Sequence, residues 1–235
     1  FVTWGIMGFV WAQTAYAVPV DTKSYDPASG VVVKIAGKTL VMVWDTPEGS
    51  TELTLNLSGK GALVRSIAVA PGKGKPVVVL RDVDPVTMLS IGQRDLKKRG
   101  GWTIFFDRTS RKPSESGPLT LKLKSAIVRS VGSRCIVELD RLEGQSFSGK
   151  LRFTLYAGCD LIHLQAIVQT KKDARALLYH SGLTCDPMDK AVSWVGLDDK
   201  VHRVEATTQP AVPEKVRNRT IALETKDGSL AVFPP

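Results

Sequence analysis

Polar and apolar residues alternate strictly along most of this chain, and only a half-buried β-strand satisfies that period. In Thr51-Glu52-Leu53-Thr54-Leu55-Asn56-Leu57 leucine returns at every second position. Successive side chains of a strand point to opposite faces, so Leu53, Leu55 and Leu57 are expected on one buried face. Leu119-Thr120-Leu121-Lys122-Leu123-Lys124 repeats the pattern with both lysines outward. Segments 134–140, 150–156 and 161–168 continue it. Further strands are expected at 31–35, 38–45, 62–69, 76–80, 86–91, 102–107, 174–183, 191–197, 200–207 and 216–225. Gly, Pro, Asp and Ser separate most of them, as in Ala157-Gly158-Cys159-Asp160 and Lys226-Asp227-Gly228. No stretch sustains a 3.6-residue period. About fifteen short strands without helix predict an all-β fold, a large antiparallel β-sandwich. Strand content above about 40% and helix below about 10% are expected, far from the usual mixture. The expected core comprises Leu53, Leu55, Leu57, Ile104, Phe106, Leu121, Leu123, Ile136, Leu139, Phe153, Leu155, Leu164 and Ile167.

The first 17 residues, FVTWGIMGFVWAQTAYA, read as the remnant of a signal peptide. An apolar run from Trp4 to Ala12 precedes Ala15-Tyr16-Ala17, with small residues where a signal peptidase requires them. The run is short of the roughly 20 apolar residues that span a bilayer, so no stable membrane span is expected. An apolar N-terminal strand or anchor is the alternative. Export, to a periplasm or the extracellular space, follows from the signal reading. Residues 18–30 read as a lead-in segment and 31–235 as one β-sandwich domain. Because Gly228 to Phe233 reads as a strand meeting Pro234-Pro235, that domain is expected to be truncated at its C-terminal end. The C-terminal remainder of the same polypeptide then becomes a partner.

The composition is that of a globular protein, 43% hydrophobic and 23% charged. Lys and Arg number 32 against 23 Asp and Glu, a formal charge of +9. Such an excess favours an acidic partner. Export disfavours nucleic acid and leaves an acidic polysaccharide or an anionic surface, against a merely solvated basic exterior. The dense basic segments are Arg94 to Arg99 and Arg108 to Lys112. They flank Trp102, which would combine charge with an aromatic platform. Cys135, Cys159 and Cys185 allow one disulfide with a spare thiol, or three buried thiols acting as small apolar residues. No metal-ligand motif and no cofactor motif is present.

Gly100-Gly101-Trp102-Thr103-Ile104-Phe105-Phe106-Asp107, Gly149-Lys150-Leu151-Arg152-Phe153-Thr154-Leu155-Tyr156-Ala157-Gly158 and the following Leu161-Ile162-His163-Leu164 carry a resemblance to a known family. This series resembles the galactose-mutarotase-like β-supersandwich, across residues 30–235. That architecture occurs in secreted polysaccharide lyases, in N-terminal domains of glycoside hydrolases and in sugar epimerases. The resemblance implies a carbohydrate-binding or scaffolding domain of a secreted carbohydrate-active enzyme. A non-catalytic exported module that binds glycan or a neighbouring domain is the second reading, and a sugar epimerase the third. No counterpart of the paired His and Glu used by epimerases of the fold is found here.

Of three histidines, His163 lies in an alternating run opposite in phase to Ile162 and Leu164, and His202 follows the Asp198-Asp199-Lys200 turn. Tyr179-His180 is expected where a strand ends at a turn, and would supply the acid and base of a β-elimination at a uronate. Ordinary strand or turn roles are the alternative for all three. Asp82 with Asp84 and Asp198 with Asp199 suit turn chemistry better than the paired carboxylates of a glycosidase. No serine-nucleophile elbow or phosphate loop is present. Sugars stack on flat rings, so Trp102 and Trp194, beside turns, are expected to bind ligand together with Arg99 and Arg108.

Overall fold

The computed structural model describes residues 18–93, 114–207 and 214–234. The signal segment, the strand expected at 102–107, both dense basic segments and residues 208–213 lie outside the described residues. Of the described residues 68% are in strands and 2% are helical, so the chain is all-β.

Three sheets organise the strands. The first (sheet A) joins β1 (Val20–Ser24), β9 (Ala126–Val131), β10 (Arg134–Gly144), β11 (Phe147–Tyr156) and β12 (Ile162–Gln169) in that order, with β8 (Thr120–Leu121) added to β10. The second (sheet B) runs β13 (Arg175–Thr184), β6 (Val77–Gln93), β5 (Val64–Pro71), β4 (Gly49–Asn56), β3 (Thr39–Thr46) and β2 (Val31–Ala36). There β7 (Ser114–Pro118) also pairs with β6. The third (sheet C) orders β15 (Val201–Glu205), β14 (Ala191–Gly196), β16 (Val216–Thr225) and β17 (Gly228–Val232). All recorded pairs are antiparallel except β1 with β9. The lead-in segment is therefore built into an edge of sheet A, and Tyr25 secures it by donating to the Val31 carbonyl at 2.7 Å.

The predicted leucine face packs as the alternation requires. Leu53, Leu55 and Leu57 are buried with Leu40, Met42 and Trp44 on sheet B. They meet Cys135, Val137, Leu139, Leu151, Phe153 and Leu155 of sheet A in one cluster. Each such side chain contributes about 1.5–3 kcal/mol of burial free energy. A second cluster, of Leu89, Ile91, Leu119, Leu142 and Phe147, continues the interface beyond the first.

A bulge in β10 brings both clusters into phase. β10 slips register between Asp140 and Leu142, at Arg141 with φ 76°, so Leu139 and Leu142 both face inward. In β6, Leu80 and Val83 both pack into the first cluster with Asp82, at φ 51°, between them, while the register against β5 shifts at Val79. This overturns the separate strands expected at 76–80 and 86–91: one 17-residue strand runs through Asp82 and Asp84. The Asp84 carboxylate accepts from the Leu63 N–H at 2.8 Å, satisfying a backbone donor of the neighbouring loop.

Several expected core positions are corrected. Ile136 is buried as expected, though on the face opposite Cys135, Val137 and Leu139, whereas Ile167 is only half-buried and lies opposite Lys150 on that outer face. Leu121, Leu123 and Leu164 are only partly buried against the cluster, and only Thr120–Leu121 of segment 119–124 is strand. All three cysteines are free. Cys135 is buried and Cys185 half-buried, but Cys159 is exposed, so the chain does not use three buried thiols.

Candidate functional site

The structure separates the expected acid and base. Tyr179 and His180 lie inside β13, opposite Leu89 and Met88, rather than at a strand-ending turn. Neighbouring strand residues project to opposite faces, so the two side chains cannot converge on one substrate. His163 faces outward on sheet A opposite Thr154, away from both. Trp102, Arg99 and Arg108 lie outside the described residues. Among the described residues no group of three or more His, Cys, Asp or Glu side chains is arranged to hold a metal ion. No helix there is long and apolar enough to cross a membrane.

Trp194 is the predicted ligand residue for which the surroundings are defined. It is half-buried on β14, directly opposite His202 of β15. The two rings are nearly parallel, 13° apart in plane with centroids 5.7 Å apart. Asp198, in the turn between the strands, holds the His202 ring at 2.9 Å from Nε2. That hydrogen bond holds the Asp198 carboxyl below its ordinary value, assisted by the Lys200 N–H. Gly196 makes the arrangement possible, because a Cβ there would meet His202 Nε2 and Asp198 Oδ1. Arg217 reaches from β16 to Asp199 at 2.6 Å, fixing the other side of the turn. The product is a flat aromatic surface rimmed by charged hydrogen-bonding groups. Sequence reasoning found Trp194 and the turn but not the pairing, because cross-strand register is not encoded locally.

Beside the β10–β11 turn lies an open cleft of about 570 Å³, lined by Thr120, Lys122, Glu143, Gln145, Ser146 and Phe147 among others. Hydrogen bonds from Lys122 and Arg141 hold the Glu143 carboxyl below its ordinary value. Among the described residues Glu143 is the one carboxylate lining this cleft, which offers hydrogen bonds to a polar ligand and, among those residues, no second carboxylate to pair with it.

On the outer face of sheet A, Glu138 is nearly buried and meets three cations. Lys150 Nζ lies 2.6 Å from Oε2, Arg152 Nη2 2.5 Å from Oε1, and Arg129 Nη2 3.7 Å from Oε1. Burial raises the Glu138 pKa, but hydrogen bonds and charge from Lys150 and Arg152 outweigh it and leave the group below its ordinary value.

No family model matches the chain, and a search of curated proteins returns no match.

Proposed function

We propose that this chain is the β-sandwich portion of an exported carbohydrate-active enzyme, of polysaccharide lyase or hydrolase type, contributing glycan binding or scaffolding. The observation that carries this reading is the Trp194–His202 surface with its rim of Asp198, Asp199 and Arg217. Pyranose rings stack their C–H faces on flat aromatic groups, while hydroxyls take hydrogen bonds from side chains at the edge. The apolar run and Ala15-Tyr16-Ala17 support export, with cleavage after Ala17. The separation of Tyr179 from His180 favours binding over a β-elimination by that pair.

The test is affinity electrophoresis of the purified protein in gels containing neutral and acidic glycans. Trp194→Ala should weaken glycan retardation by about tenfold, a loss of some 1.4 kcal/mol. Absence of binding to any glycan, or retention unchanged by the substitution, would defeat the reading.

A second reading, an exported module that docks a neighbouring domain, is favoured by the apolar side of sheet C. Val204 and Ile221, with 50% and 46% exposure, lie on the same side as Trp194. Exposed apolar side chains grouped on one face mark interaction surfaces. Ile221→Ser would then reduce domain association, while Trp194→Ala would leave glycan retardation unchanged.

A further inference from the structure

On the outer face of sheet A, three cations gather around a single buried carboxylate, Glu138. Cross-strand register places Arg129 opposite Ile136, Glu138 opposite Arg152, Arg152 opposite Gln165, and Asp140 opposite Lys150. Residues directly opposite on one face lie about 5 Å apart at Cβ, and diagonal neighbours about 7–8 Å apart, so these side chains form one patch. His163, diagonal to Arg152, extends it. On this face Asp21, opposite Ile127, and Asp140 are exposed carboxylates beside Glu138, and Arg134 joins Arg129, Lys150 and Arg152, so four cations face three carboxylates.

The arrangement is also poised for a ligand. Lys150 turns to Glu138 rather than to Asp140 across the strand, and Arg152 gives Nε and Nη2 to the same carboxylate. Arg129 stands 3.7 Å from Glu138, beyond direct hydrogen-bond distance. Its planar fork of N–H groups is thus held at the patch by charge without being consumed there. The side chains of Arg129, Lys150 and Arg152 are 32%, 37% and 25% exposed, open to solvent but with their heads clustered. A guanidinium fork beside an ammonium matches the two oxygens of a carboxylate or the oxygens of a sulfate.

We propose that Arg129, Lys150 and Arg152, with Gln165 at the edge, form an oxyanion site on sheet A that takes the carboxylate or sulfate groups of an acidic glycan. The site is separate from the Trp194 surface and does not depend on it. Glu138 acts as the internal counter-charge that gathers the cations, and the bound oxyanion takes the charge left over.

Isothermal titration of the purified protein with oligogalacturonate, a dextran sulfate oligomer and cellohexaose separates the possibilities. Binding of either anionic oligomer, weakened about tenfold by Arg129→Gln and by high salt, is the expected result. Whichever anionic oligomer binds identifies carboxylate or sulfate as the group recognised. Arg129→Lys keeps the charge but loses the fork, and should lie between wild type and Arg129→Gln. Lys73→Gln, in an exposed loop of sheet B, should change little. The proposal falls if neither anionic oligomer binds, if Arg129→Gln binds as wild type does, or if Lys73→Gln weakens binding equally. Anion binding lost in Arg129→Gln but retained in Trp194→Ala, with no cellohexaose binding, would uphold this site while removing the aromatic-platform reading.

Discussion

The indole N–H of Trp44, on β3 of sheet B, donates to the Cys159 carbonyl of sheet A at 2.8 Å. Cys159 sits in the turn between β11 and β12, and two more bonds join the same turn to sheet B. Gly158 N–H donates to the Asp45 carbonyl at 2.9 Å, and Thr51 Oγ1 lies 2.6 Å from Asp160 Oδ1. Gly158 has φ 81°, which turns its N–H toward β3 at no Cβ cost. The hairpin turn therefore clamps one end of the two facing sheets.

Trp44→Phe keeps an aromatic ring in the core but strands the Cys159 carbonyl and leaves a small void. A loss of about 2 kcal/mol is expected in urea unfolding, with an unchanged slope. An effect within about 0.5 kcal/mol would mean that the clamp contributes nothing.

Glu138 gives the fold a pH dependence of definite sign. Its folded-state pKa lies below the ordinary 4.5, so the carboxylate stabilises the fold above that value. The contribution disappears as pH falls from that region through the lower folded-state value. Glu138→Gln should cost about 2 kcal/mol at pH 7 and progressively less below about pH 4, so the two stability curves converge in acid. Parallel curves would remove Glu138 from the acid response.

The three thiols should react in order of access. Burial pushes the Cys135 thiol up to about 11, and the thiolate is the reactive form. Cys159 is exposed. A thiol reagent at pH 8 should modify Cys159 rapidly, Cys185 more slowly and Cys135 only after unfolding. Mass mapping after brief exposure checks this, and early labelling of Cys135 would contradict the packing.

Sequence patterning disclosed the strands better than it disclosed their faces. Leu53, Leu55 and Leu57 were legible because β4 is polar on its other side. Ile136 was not, since Cys135 to Val137 is apolar throughout and carries no alternation to mark the inner face. The Asp82–Pro85 stretch has the composition of a turn, yet β6 passes through it because β5 and β13 both bond to that strand. Only tertiary pairing distinguishes such a continuous strand from a hairpin. The Glu138 cluster was invisible for the same reason: Arg129, Glu138, Lys150 and Arg152 come from three strands, and register alone unites them.

The β10–β11 turn holds removable strain. Gln145 and Ser146 have φ of 51° and 69°, the left-handed region that glycine occupies without penalty. Ser146→Gly should raise stability by about 0.5–1 kcal/mol, read as a higher urea midpoint. A lower midpoint would show that the serine side chain compensates the strain.

Gly196 separates the aromatic surface from the fold that carries it. A Cβ at this position meets the ends of the His202 and Asp198 side chains, both exposed and able to move aside. Gly196→Ala should therefore change stability by no more than about 0.5 kcal/mol, as an ordinary surface substitution does. It should nonetheless displace the His202 ring from Trp194 and break the bond to Asp198. Glycan retardation should then fall toward that of Trp194→Ala while the thermal midpoint moves by only a few degrees. Unchanged retardation in a protein with displaced His202, established by its altered ring-proton chemical shifts, would show that Trp194 binds without its partner ring.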